Sequence, residues 1–362
     1  MTTITFQFGS AQTAFCVRET VPGLETITGG RAAGALIVCD ENTRAAAGKI
    51  RAGYSAALCV LPPGETAKTW RSVEAILKAA SDAGLDRDGF FIGCGGGAVT
   101  DLTAFAASVY RRGAALCLVS TTLLGMADAS LGGKTGIGLF GVKNLAGTFY
   151  PASRVYAPVR ELATLPEREW KSGMAEVIKT ALLDESGALA GILAEHRAAL
   201  GSPGAAADGK TAGVMGELVL RAAELKGRIV EKDPLETGSR RLLLNLGHTF
   251  GHALEAARGL GTLTHGEAVA WGIARAAELG RAAGITSENR KREITELLAS
   301  WGYETGFRAD PALFFAALAG DKKRKSGRNI FIVPTERSAE TLSLDMTLPT
   351  ERNLIEKIIM GA

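Results

Sequence analysis

The pattern across residues 35–119 narrows the choice of fold more than any other feature of the chain. Four short apolar runs, at 35–39, 56–61, 89–93 and 114–119, are separated by stretches with helical character. The clearest helix is expected over 65–83, where Val73, Ile76, Leu77 and Ala80 share one side; another is expected from about Ala98 to Arg111. Strands that alternate with helices are joined by crossovers rather than hairpins. The pattern therefore predicts a parallel sheet with helices on both faces, a Rossmann-like α/β domain.

At 362 residues the chain exceeds one ordinary hydrophobic core, so a second domain is expected. A last strand at 154–157 and Pro158 mark the boundary, giving domains 1–158 and 159–362. The second half reads as mainly α-helical, with helices at 166–183, 188–198, 214–231, 249–257, 265–283 and 288–301. A short strand at 329–333 precedes a terminal helix.

A hydrophobic fraction of 46% and a charged fraction of 22% belong to a soluble globular protein. The net charge of +3 implies no nucleic-acid or anionic-membrane partner. No apolar run approaches the roughly 20 residues that span a bilayer, and residues 1–6 lack the basic-then-apolar order of a secretion signal. Cys16, Cys39, Cys59, Cys94 and Cys117 lack C-x-x-C spacing and read as reduced core residues, so a cytoplasmic location is expected.

Chemistry concentrates in a few stretches. Gly95-Gly96-Gly97 lies between a strand and a helix, where backbone N–H groups hold phosphate, and Gly93-x-Gly95-x-x-Ala98 is a loose form of the dinucleotide fingerprint. Residues 120–144 carry Thr121, Thr122, Asp128, Lys134 and Lys143, the contents of a polar pocket at the carboxyl ends of parallel strands. In the second half Glu176 and Lys179 sit among Met174, Ala175, Val177 and Ile178, which leave no polar stripe. That favours a buried carboxylate with a cationic partner, a metal ion being one candidate.

Residues 241–267 hold three of the chain's four histidines. His248 and His252 are four apart and share a helix face, while His265 follows a turn containing Gly259 and Gly261. By spacing alone any of the three could ligate a divalent metal, or merely cap a helix or satisfy core hydrogen bonds. Arg241 and Asn245 are also four apart.

Taken together, G-G-G-A-V-T-D (95–101), T-T-L-L-G-M-A-D-A-S-L-G-G-K-T-G (121–136), K-N-L-A-G-T-F-Y (143–150), G-M-A-E-V-I-K (173–179), N-L-G-H-T-F-G-H-A-L-E (245–255) and H-G-E (265–267) resemble the 3-dehydroquinate synthases, sugar phosphate cyclases. The likeness runs from about Asp40 to Lys323 in order. It implies an NAD-binding Rossmann-like domain, a helical metal- and substrate-binding domain, and a phosphate-eliminating lyase of the shikimate pathway. By position Glu176, His248 and His265 resemble metal ligands, for zinc or alternatively cobalt. Asp40, Asn42, Glu65, Lys68, Gly96, Gly97, Asp101, Thr121, Thr122 and Lys143 resemble NAD contacts. Asp128, Lys134, Asn144, Lys179, Lys226, Arg241, Asn245, His252 and one of Lys322 or Lys323 resemble the catalytic, substrate-binding shell. Arg112 resembles an arginine lent to a neighbouring subunit, which implies a homodimer.

The chain departs from the family pattern at Ala98, Thr100, Ser120 and 139–142, and one residue is inserted within 233–240, so Arg240 competes with Arg241. Other sugar phosphate cyclases and metal-dependent NAD polyol dehydrogenases are the alternatives. Arg241 and Asn245 suit a carboxylate-bearing substrate and favour the first reading.

Overall fold

The computed structural model describes residues 1–30, 34–259, 261–319 and 328–361. They form two compact units, Met1–Trp170 with Ala198–Leu235, and Lys171–Arg197 with Glu236–Ala362. The strands in chain order are β1 (Thr2–Phe8), β2 (Ala11–Arg18), β3 (Ala35–Asp40), β4 (Ala57–Leu61), β5 (Phe90–Gly95), β6 (Ala115–Ser120), β7 (Ile137–Leu139), β8 (Val142–Ala146), β9 (Arg154–Pro158), β10 (Asn329–Pro334) and β11 (Ala339–Leu344). The α-helices are α1 (Leu24–Thr28), α2 (Arg44–Arg51), α3 (Trp70–Asp82), α4 (Gly97–Val109), α5 (Glu167–Leu183), α6 (Ala188–Glu195), α7 (Gly209–Glu231), α8 (His248–Arg258), α9 (His265–Ala282), α10 (Glu288–Ser300), α11 (Pro311–Ala319) and α12 (Pro349–Met360).

The first unit is built on a seven-stranded sheet of order β1-β2-β9-β6-β5-β3-β4. Only β1 and β2 pair antiparallel; every other pairing is parallel. Every residue of β3 and of β5 is buried, so these strands read as continuous apolar runs, which a sheet covered on both faces requires. This is the parallel α/β domain expected from the alternation of strands and helices.

The expected long loop after β6 contains a π-helical turn at Gly125–Ala129 and the β7–β8 hairpin. The expected helix over 65–83 is divided: a short 3-10 turn covers Glu65–Ala67, and α3 starts after Thr69, whose side chain accepts the Ser72 N–H.

The second unit is mainly helical, with β10 and β11 as an antiparallel pair. Its core centres on Phe250, Trp271, Phe314 and Phe331, each at most 1% exposed. Helices α8 and α9 pack backbone against backbone. A Cβ at Gly272 would overlap the Gly247 carbonyl oxygen, and one at Gly251 would lie 2.8 Å from the Ala268 oxygen. A Cβ at Gly266 would overlap Ser172 of α5.

Helix separation there has no room for a methyl group, so Gly272→Ala is expected to cost about 1–3 kcal/mol. Thermal unfolding checks this, and an unchanged midpoint would contradict so tight a crossing. No helix among the described residues is long and apolar enough to cross a membrane.

Candidate active site

The glycine contacts bring three helices to one point in the second unit. Glu176, in the middle of α5, is fully buried. His248 is the first residue of α8 and His265 the first of α9. A reciprocal capping box fixes the start of α9: Thr264 Oγ1 accepts the Glu267 N–H (3.1 Å), and Glu267 Oε2 accepts the Thr264 N–H (2.6 Å). His248 Nε2 lies 3.5 Å and His265 Nε2 lies 3.4 Å from Glu176 Oε1.

Both oxygens of the Glu176 carboxylate are buried away from solvent. Lys179 Nζ forms an ion pair with Oε2. Burial raises the Glu176 pKa, but Lys179 and His265 outweigh it and hold the carboxyl at about 2. Burial lowers the His265 pKa, but Glu176 and Glu255 outweigh it and push the ring up to about 9.

The pocket thus pairs one buried carboxylate with two basic side chains. Nδ1 of His248 is 3.2 Å from the Leu246 carbonyl oxygen, and Nδ1 of His265 is 3.6 Å from Glu255 Oε2. With the protons on Nδ1, both Nε2 lone pairs face the carboxylate oxygen, an arrangement that a shared cation stabilises; without one, a proton on Nε2 does so. Ligand bonds of about 2.1 Å in a tetrahedron put donor atoms about 3.4 Å apart, close to both separations from Glu176 Oε1.

His252 is exposed on the same face of α8, and its ring centroid lies 5.3 Å from that of His248. One ligand atom from each of His248, His252 and His265 lies within 4.8 Å of the others. His248 and His265 also converge on Glu176 Oε1, each Nε2 lying within 3.5 Å of it.

In the first unit the turn from β5 into α4 carries Gly96 and Gly97. A Cβ at Gly95 would lie 2.7 Å from Val99, and one at Gly96 would lie 2.9 Å from Thr122, so the turn is tight only because both are glycine. Thr121 and Thr122 follow β6, and Thr121 Oγ1 is buried without a hydrogen-bond partner among the described residues. Asp40 ends β3, where its carboxylate accepts the N–H (2.9 Å) and hydroxyl (2.7 Å) of Thr43.

Lys68 gathers three other expected residues. Its Nζ donates to Asp101 Oδ2 (2.7 Å) and Asn144 Oδ1 (2.6 Å) and lies 3.4 Å from Glu65 Oε1. Burial lowers the lysine pKa, but Asp101 and Glu65 outweigh it and the net shift is upward. Burial pushes the Asp101 carboxyl up to about 6, against the pull of Lys68. Asn144 holds a left-handed backbone at φ 50. Asp128 meets Lys226 of α7: Nζ is 3.0 Å from Oδ1 and donates to the Asp128 carbonyl at 2.5 Å.

A sequence model of the 3-dehydroquinate synthase N-terminal domain matches residues 58–172, and one of the C-terminal domain matches 173–324. The chain belongs to the 3-dehydroquinate synthase family. A 3-dehydroquinate synthase of Synechococcus is 42% identical over 287 residues, 78% of this chain and 75% of that one. The structure of 2-epi-5-epi-valiolone synthase from Streptomyces hygroscopicus, with NAD+ and Zn2+ bound, superposes with a TM-score of 0.80 at 26% identity, covering 99% of this chain and 96% of that one. A 2-deoxy-scyllo-inosose synthase complexed with carbaglucose-6-phosphate, NAD+ and Co2+ covers 100% of both chains at TM-score 0.81. At 23% identity that likeness shows the fold alone.

Two acidic residues that sequence reasoning did not single out lie against residues expected at the site. Glu236 accepts from Asn245 Nδ2 at 3.4 Å, from a left-handed backbone at φ 56 that nothing in a Glu-Thr-Gly string announces. Glu255 was legible in principle, since it lies seven residues after His248 on the same helix face. Arg241, 2% exposed, opens a 3-10 turn with Asn245, whereas Arg240 is exposed. Arg111 and Arg112 are exposed in left-handed conformations at φ 48 and 67. Asn42, Lys134 and Lys143 are exposed, while Lys322 and Lys323 lie outside the described residues.

Proposed function

We propose that this chain converts 3-deoxy-D-arabino-heptulosonate 7-phosphate to 3-dehydroquinate and phosphate. One observation carries the reading: a buried, anionic Glu176 faces the Nε2 atoms of His248 and His265 inside a chain matched by both family models. Glu176, His248 and His265 hold a divalent metal, zinc or cobalt. Gly96 and Gly97, with Asp40, Asn42, Glu65, Lys68, Asp101, Thr121, Thr122 and Lys143, hold NAD. When bound, NAD takes up and returns a hydride, and the metal polarises substrate hydroxyls.

The chain's own residues orient and neutralise a substrate with several negative charges. Arg241 offers a planar fork to a carboxylate, and Asn245, steadied by Glu236, adds an amide. Asp128, Lys134, Asn144, Lys179, Lys226 and one of Lys322 or Lys323 complete the catalytic shell. The Asp128–Lys226 ion pair and the Lys68–Asn144 hydrogen bond support their membership by fixing those side chains. His252, exposed beside the metal ligands, is suited to relay a proton to or from the substrate. The exposed Arg112 supports a homodimer in which it reaches a neighbouring subunit's phosphate pocket. The five buried free cysteines fit a reducing, cytoplasmic setting.

With the heptulosonate phosphate, purified protein is expected to release phosphate stoichiometrically on catalytic NAD, without net build-up of NADH absorbance. Chelation should abolish release, and zinc or cobalt should restore it. NADH accumulating with turnover would favour a polyol dehydrogenase, and full activity after exhaustive chelation would remove the metal from the reaction.

A further inference from the structure

We infer that Glu255 is a positioning residue for the metal site, acting on His265 from the side away from the ion; the inference rests on the metal reading above. Glu255 is buried on α8 at the seventh residue after His248, so the helix that supplies one ligand also supplies the group behind the other. Its Oε2 is 3.6 Å from His265 Nδ1, while Nε2 of the same ring is 3.4 Å from Glu176 Oε1. A carboxylate behind Nδ1 keeps the proton there, so the Nε2 lone pair faces the other ligands, and it makes the imidazole a stronger donor.

The two ligand histidines are backed differently. His248 Nδ1 lies 3.2 Å from the neutral Leu246 carbonyl oxygen. His265 has an anion, in a buried place where a carboxylate is costly unless it serves a partner. Removing Glu255 should therefore loosen one ligand in particular and leave the cage otherwise intact.

The test is metal binding by the full-length protein stripped with chelator. Zinc affinity is read by competition with a chromophoric chelator, and the ligand field by the visible absorption of the Co2+ form. Glu255→Ala is expected to weaken zinc and cobalt by about 10–100-fold and to shift the cobalt bands. Glu255→Gln, which keeps an acceptor oxygen but loses the charge, is expected to lose a smaller but measurable factor, about three- to tenfold.

If Glu255→Ala fails to fold, the Gln variant's affinity and cobalt spectrum decide. Unchanged affinity and spectrum in the folded variants, even with a lowered unfolding temperature, would reduce Glu255 to a structural ion pair and overturn the inference. A wild-type protein that binds no zinc would instead overturn the metal reading beneath it.

Discussion

Glu176→Gln is expected to lower kcat/KM by at least about 10²–10³-fold, the size of effect seen when one charge-stabilising group is removed from a preorganised site. The substitution keeps the shape and removes the anion. The position is fully buried, so solvent cannot replace the missing charge. The two Nε2 atoms would then face a neutral amide, which is a poor ligand. Lys179, 1% exposed, would also lose its counter-ion, and breaking a buried pair costs about 3–5 kcal/mol. Metal content and unfolding temperature should therefore fall along with activity. A variant that retained stoichiometric zinc and turned over normally would show that Glu176 serves only the lysine.

The second large effect belongs to Arg241. Arg241→Ala is expected to reduce kcat/KM by about 10²–10³-fold, because a bidentate clamp orients as well as neutralises. Arg241→Lys keeps the charge without the fork and should still lose about tenfold or more. Arg240→Ala, which changes an exposed neighbour, is expected to stay within about twofold, as surface substitutions do. Steady-state kinetics of the three variants at saturating NAD separate these outcomes. A strong loss at Arg240 with none at Arg241 would reverse the choice between them.

Much of the first unit was legible because continuous apolar runs broken by helices have few other solutions. The burial of Glu176 was legible too, from its neighbours and the missing polar stripe. The opening β1–β2 hairpin was not anticipated, although Gly9-Ser10 after alternating Ile4, Phe6 and Phe8 is an ordinary hairpin signal. Other features could not be read locally. Helical periodicity predicts that α7 forms but not which core it joins; it lies against Phe6, which leaves no room for a side chain at Gly227. The meeting of Glu176 with two histidines more than 70 residues later is a tertiary event that spacing cannot encode. Spacing favoured the three histidines equally, and only the family likeness separated His252 from the other two. The left-handed turn at Glu236 also had no sequence signal, since that conformation is uncommon for glutamate.

The glycine seam joining α5, α8 and α9 bears on which ions the protein accepts. Where backbones touch, no rotamers remain to take up a change in ligand spacing. Approach is blocked by atoms already in contact, and separation would open a buried seam. The backbone positions from which the three side chains extend are thus held by main-chain contact. The site suits ions that bond nitrogen and oxygen at about 2.0–2.2 Å, as zinc does. Calcium, which takes six to eight oxygen ligands at about 2.3–2.6 Å, is poorly served by a set with two imidazole nitrogens. The same rigidity keeps the cage open before any ion arrives, so binding there should be loading rather than folding.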